Sequence, residues 1–193
     1  SSKISTPSYK LLEKEYAKFA KTKYAVAVSS GTAALHLSLV ALGIGRGDEV
    51  IVPDFTMAAC GFAVSYTGAK VVTVDCGKDY NIDTSLIEKK ITKRTKAIMA
   101  VHIYGRLCDM AAIKKIAKKH KLRIIEDACE AQGAAFGGNS DFLVFSLYKN
   151  KIIHAEEGGV ICTNSKYFHD RLQFLQNMAF DAGHTYYHTE IGY

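Results

Sequence analysis

The sequence predicts an α/β fold, a mainly parallel sheet sandwiched by helices, and three observations carry that reading. Apolar runs of strand length alternate with segments whose apolar residues recur at helical spacing, from Tyr9 to Met178. The intervals between successive runs fit parallel crossover units. Polar side chains and glycines gather directly after the runs, where a ligand-binding sheet of this class places its site. With 193 residues, 48% of them hydrophobic, the chain can bury a full core, and residues 1–193 read as one domain.

Each element has a local reason. Leu11, Leu12, Tyr16, Phe19 and Ala20 recur at helical spacing over residues 9–21, and residues 23–28 then turn strand-like. The segment Ser29-Ser30-Gly31-Thr32 opens a helix that runs to about Leu42 and stops at Gly43. Residues 49–52 form a strand broken by Pro53, residues 56–67 a helix of small side chains, and residues 70–74 a strand ending at Asp75-Cys76-Gly77. Asp83 caps a helix to about Ile91, and the strand 96–101 runs into His102-Ile103-Tyr104-Gly105. Asp109 caps a helix through His120, residues 122–125 are the next strand, and the acid pair Glu126-Asp127 follows it. Phe142, Leu143, Val144 and Phe145 read as a buried strand that stops at Ser146; residues 160–163 form another after Gly158-Gly159, and residues 167–178 an amphipathic helix.

Bulk properties exclude several classes. No apolar run reaches the ~18 residues of a membrane span, and the Lys-rich start lacks a signal-peptide pattern, so a cytoplasmic protein with no membrane partner is expected. Five scattered cysteines without a C-x-x-C pair argue against a disulfide framework and against a metal site. The charge of +6 suits an anionic ligand, but the lysines group as solvated helix faces, as at Lys114, Lys115, Lys118 and Lys119, so nucleic acid is not expected as a partner. A G-x-G-x-x-G fingerprint is missing, which weakens a dinucleotide-binding reading.

The chemistry concentrates in residues 145–159, F-S-L-Y-K-N-K-I-I-H-A-E-E-G-G. Lys151 precedes Ile152-Ile153, so apolar surroundings can lower its amine pKa and make it a nucleophile toward carbonyls. Lys149 points the other way if the backbone is extended, and both lysines as solvated loop residues is the competing reading. The helix start at Gly31-Thr32 is an anion site or ordinary Ser/Thr N-capping without a ligand. At least one carboxylate of the pair Glu126-Asp127 needs a cation or a protonated ring nitrogen. Together, Gly31-Thr32, Asp127, Ser146 and Lys151 are the parts that pyridoxal 5'-phosphate (PLP) needs: a phosphate cradle, a carboxylate for the pyridine nitrogen, and an amine.

The motifs S-S-G-T-A-A-L (29–35), G-D-E-V-I-V-P (47–53), H-I-Y-G (102–105), E-D-A (126–128) and F-S-x-x-x-N-K-x-x-x-x-x-E-G-G (145–159) resemble the nucleotide-sugar aminotransferases of the DegT/DnrJ/EryC1/StrS group, in the same order along nearly the whole chain. The resemblance implies the large domain of fold type I of the PLP-dependent transferases, a homodimer, and amino transfer from glutamate to a keto sugar on a nucleoside diphosphate. It implies covalent cofactor attachment at Lys151, the pyridinium partner at Asp127, and phosphate contacts from Gly31, Thr32 and Ser146. Glu130 falls near the cofactor's hydroxyl, and Lys149 matches no catalytic position. Relatives that dehydrate sugars carry His at the lysine position, so Lys151 favours transamination.

Three positions depart from the group's pattern. Met57 stands where many relatives stack an aromatic ring on the pyridine, Glu156 replaces the first glycine of G-E-G-G, and Asn177-Met178-Ala179 replaces N-H-G. The chain opens at Ile4-Ser5 and closes at Tyr193, inside the extent of its relatives, which implies a large domain truncated at both ends, without the small C-terminal domain. The competing readings are an α/β module that keeps the fold without turnover, and a PLP enzyme of another reaction type such as an amino-acid lyase.

Overall fold

The structure, a computed structural model, describes residues 8–137, 140–180 and 187–193; Ile4-Ser5 lies outside them. Among the described residues seven strands form one sheet in the order β1-β7-β6-β5-β4-β2-β3. These are β1 (Tyr24–Val28), β2 (Glu49–Pro53), β3 (Lys70–Val74), β4 (Thr95–Val101), β5 (Arg123–Asp127), β6 (Phe142–Ser146) and β7 (Gly159–Thr163). The neighbours from β6 to β3 all pair in parallel, whereas β7 runs antiparallel to both β6 and β1. The mainly parallel sheet read from the sequence is therefore observed, with β7 as its one reversed strand.

Among the described residues six α-helices cover the two faces: α1 (Ser8–Phe19), α2 (Gly31–Ala41), α3 (Ala58–Tyr66), α4 (Thr84–Lys90), α5 (Met110–His120) and α6 (Lys166–Gln176). The period-2 alternation of the strands divides their side chains between the faces. Val50 and Val52 join the cluster under α2, α3 and α6, while Ile51 joins the one under α4 and α5. Tyr16 and Ala20 at the end of α1 pack on Leu143, Phe145 and Val160. Helix α2 is apolar on nearly every side, with Ala34, Leu35, Leu37 and Leu39 all buried, because it lies between the sheet and α3 and α6. Asp83, Asp109 and Ser165 accept backbone hydrogen bonds at the starts of α4, α5 and α6.

Two boundaries differ from the sequence reading in a way that matters for the site. Strand β5 continues through the acid pair, because Glu126 and Asp127 still pair with Ala100 and Val101 on one side and with Leu143 and Val144 on the other. Helix α3 starts at Ala58, two residues later than expected, since Met57 keeps an extended backbone (φ −61°, ψ 136°). No helix among the described residues is long and apolar enough to cross a membrane.

Candidate cofactor-binding site

A cleft of about 350 Å³ opens at the carboxyl ends of β4, β5 and β6, against the first turn of α2. Its volume falls at the lower end of the range for small-molecule sites. Gly31, Thr32, Met57, Asp127, Glu130, Ser146 and Lys151 all line it, so the candidate site residues read from the sequence converge on one cavity.

The anion side is built by close packing. Ser30 caps α2, its Oγ accepting from Ala33 N at 3.1 Å, and the first intrahelical bond runs from Ala34 N to the Ser30 carbonyl. The amides of Gly31 and Thr32 precede that bond, as donors at a helix N-terminus do. A Cβ on Gly31 would stand 2.8 Å from Ser146 Cβ and 3.2 Å from Ser146 Oγ, so only glycine lets the helix start meet the end of β6. A bridge between Ser30 and Gly158 ties this turn to the entry of β7. The buried Ser146 thus presents its hydroxyl beside the amides.

The acid pair divides its roles by the pleat. Glu126 turns to His102 at the end of β4, whose Nε2 lies 3.1 Å from Glu126 Oε2, both side chains being buried. Cys108 N donates to His102 Nδ1, which leaves the ring proton on Nε2 facing the carboxylate. Burial pushes the Glu126 carboxyl up, but hydrogen bonds from His102 and Ser140 outweigh it and hold the carboxyl below its usual range. Asp127 faces the cleft. Its Oδ1 accepts from Cys129 N at 3.0 Å and its Oδ2 from Cys60 Sγ at 3.2 Å, while Thr56 Oγ1 donates to the same sulfur at 3.1 Å. Burial, then the adjacent Asp127 carboxylate, push the Cys60 thiol far above its ordinary range, so it stays protonated as a donor.

Lys151 sits in the connection between β6 and β7, its side chain 15% exposed and its Nζ 3.7 Å from Glu130 Oε1. The apolar flank expected of it is not supplied by its neighbours, since Ile152 and Ile153 are 74% and 44% exposed. The loop is also turned rather than extended: Lys151 N donates to the Tyr148 carbonyl, and Lys149 Nζ lies over the Tyr148 ring instead of in the cleft. Glu130 is itself placed by Tyr104, whose amide donates to Glu130 Oε2 at 3.0 Å from a left-handed backbone (φ 51°).

Gln132, which no motif singles out, fixes the loop. Its Nε2 donates to the carbonyls of Ser146 and Ile153, and its Oε1 accepts from Ile153 N at 2.5 Å, closing the lysine loop onto the end of β6. Met57 lines the cleft but is 59% exposed. Glu156 adopts φ 61° and Ala179 φ 51°, so both positions where the group's glycines are replaced carry left-handed backbone.

The cradle fits PLP on this chain's own geometry: a helix start that tolerates no Cβ, a hydroxyl beside it, a clamped carboxylate, and an amine in the same cavity. The profile of the DegT/DnrJ/EryC1/StrS aminotransferase family matches residues 2–193. The GDP-perosamine synthase of Caulobacter vibrioides is 44% identical over 94% of this chain and 50% of its own length. The dTDP-3-amino-3,4,6-trideoxy-alpha-D-glucose transaminase of Streptomyces venezuelae is 42% identical over 89% of this chain and 47% of its own. Among solved structures, S. venezuelae DesV in complex with a ketimine intermediate superposes with a TM-score of 0.91 at 39% identity, over 97% of this chain and 52% of that one. NtdA of Bacillus subtilis with bound cofactor PMP gives 0.93 at 32% identity, over 98% and 44%. The chain spans about half the length of the curated relatives it matches, and it belongs to the DegT/DnrJ/EryC1/StrS aminotransferase family.

Proposed function

We propose that this chain is the PLP-binding portion of an aminotransferase that moves an amino group, with glutamate as donor, onto a keto sugar carried by a nucleoside diphosphate. The observation that carries the reading is the convergence of Gly31-Thr32, Asp127, Ser146 and Lys151 on one cleft. The names of the relatives, a GDP-perosamine synthase and a dTDP-amino-sugar transaminase, support the substrate class.

When bound, PLP supplies an electron sink for the bonds to the amino carbon. The chain's residues do the rest. The amides of Gly31 and Thr32 and the Ser146 hydroxyl take the phosphate. Asp127 keeps a proton on the ring nitrogen, its carboxylate set by donors at both oxygens. Lys151 would provide the amine that holds the cofactor, and Glu130, 3.7 Å from its Nζ, would orient that amine in the cleft. A homodimer in the cytoplasm completes the proposal: Phe55, Tyr104 and, on α3, Phe62 and Tyr66 are large aromatic side chains left exposed, as surface covered by a second copy would be.

Absorption in the visible on adding PLP, together with loss of that band on Lys151→Ala, tests the site, and amination of a nucleotide-linked keto sugar tests the reaction. A second reading, a fold that takes the cofactor without turnover, is favoured by exposed Met57 and by Glu156 at φ 61°. Uptake of PLP with no amination of any keto sugar would decide for it.

A further inference from the structure

We propose that Cys60 is a positioning residue for the cofactor's ring nitrogen: its thiol, itself oriented by Thr56, fixes the Asp127 carboxylate in the rotamer that faces the cleft. The inference rests on the PLP-binding reading above for its consequence, and on this structure's own hydrogen bonds for its geometry.

Cys60 lies in the first turn of α3 and is wholly buried, 67 residues from Asp127 in sequence yet with its Sγ 3.2 Å from Oδ2. The direction of that bond is set by chemistry. An ionised carboxylate only accepts, so the thiol must donate its one proton to it. Its sulfur then acts as acceptor for the Thr56 hydroxyl at 3.1 Å. Thr56 to Cys60 to Asp127 is therefore a polarised chain running from the end of β2 to the end of β5, with the Cys129 amide closing the other carboxylate oxygen. Each oxygen retains lone-pair capacity for a ring N–H. A carboxylate bound at both oxygens cannot turn about its terminal torsion, which is otherwise broad. Burial keeps the thiol protonated, so the donor is present across the neutral range.

The S–H stretching band of the apoprotein reads the contact directly, without cofactor. A component displaced to low frequency by the carboxylate should disappear in Cys60→Ala and move to higher frequency in Asp127→Ala. With PLP, Cys60→Ala should weaken binding by about three- to tenfold and let the ring nitrogen lose its proton at lower pH, followed by absorption, because the carboxylate is free to turn away. Cys60→Ser keeps a donor and should recover most of both effects. Should Cys60→Ala fail to fold, the Cys60→Ser titration and the Asp127→Ala band shift, read in a Cys129→Ala background because the Cys129 thiol also meets Asp127, still decide. The proposal is overturned by an S–H band indifferent to Asp127, or by PLP affinity and titration that are the same in Cys60→Ala as in the unaltered protein. Absence of PLP uptake by the unaltered protein would instead refute the proposed function, and the S–H band of the apoprotein would still decide the Cys60–Asp127 contact.

Discussion

Replacing Glu156 by glycine should stabilise the protein. Glu156 holds φ 61°, its side chain is exposed, and its backbone carbonyl accepts from Lys149 N, which closes the lysine loop in this conformation. An L-residue in the left-handed region costs roughly 1–2 kcal/mol. Glycine removes that strain but frees the unfolded chain, at a cost of about 0.5–1 kcal/mol. The difference leaves a gain of about 0.5–1 kcal/mol, or about 1–4 °C in Tm for a domain of this size. Glu156→Ala separates the two possible origins, since it deletes the charge and keeps the Cβ. Thermal unfolding of the three proteins in one buffer is the assay. A Tm for Glu156→Gly no higher than that of Glu156→Ala would show that the loop stores no backbone strain at this position and would refute the reasoning.

Three further expectations follow from the site and its support. Borohydride reduction with PLP, followed by peptide mapping, should label Lys151; a label on Lys149 would reassign the amine, although that side chain lies over Tyr148. Asp127→Asn should keep this labelling while transamination falls about 100-fold or more, because a neutral amide cannot hold the ring proton; unchanged turnover removes Asp127 from the mechanism. Glu126 has a carboxyl held below its usual range in the fold. Its contribution is therefore complete above the unfolded-state value of about 4.3 and is lost as pH falls through the lower folded-state value. Urea unfolding at neutral pH and in mild acid should show a shallower loss of stability in Glu126→Gln than in the unaltered protein, and an equal loss would mean that other carboxylates govern the acid limb.

Much of the fold was legible because local rules agreed with the tertiary arrangement. The strand at residues 142–146 is a bare apolar run buried on both faces, and Asp83 and Asp109 cap the helices that they announce. The end of β5 was misjudged because charged residues read as a strand terminator, whereas ladder bonds to both neighbours carry the strand through Asp127. The need of the buried acids for partners was readable from their cost, but the identity of His102 as the partner of Glu126 depends on β4 lying beside β5. Cys60, Cys129 and Gln132 were invisible as site residues. A thiol reads as a small apolar side chain and a glutamine as a surface one, and only the crossover that brings α3 over the end of β5 turns Cys60 into a hydrogen-bond donor to Asp127.

The reversed strand β7 sets the order in which the sheet can be finished. Among the described residues strand β1 has no other neighbour in the sheet, so it must wait for a strand made much later; Lys23 N, just before β1, bonds to Asn164, 141 residues further on. At about 5–20 residues per second, that wait lasts about 7–30 s, with Ala25 and Val26 unsheltered in the meantime. The helix start at Gly31, bridged through Ser30 to Gly158, closes only with the same event. A chain interrupted before β7 therefore lacks both the strand that pairs with β1 and the bridge that ties the start of α2 to Gly158.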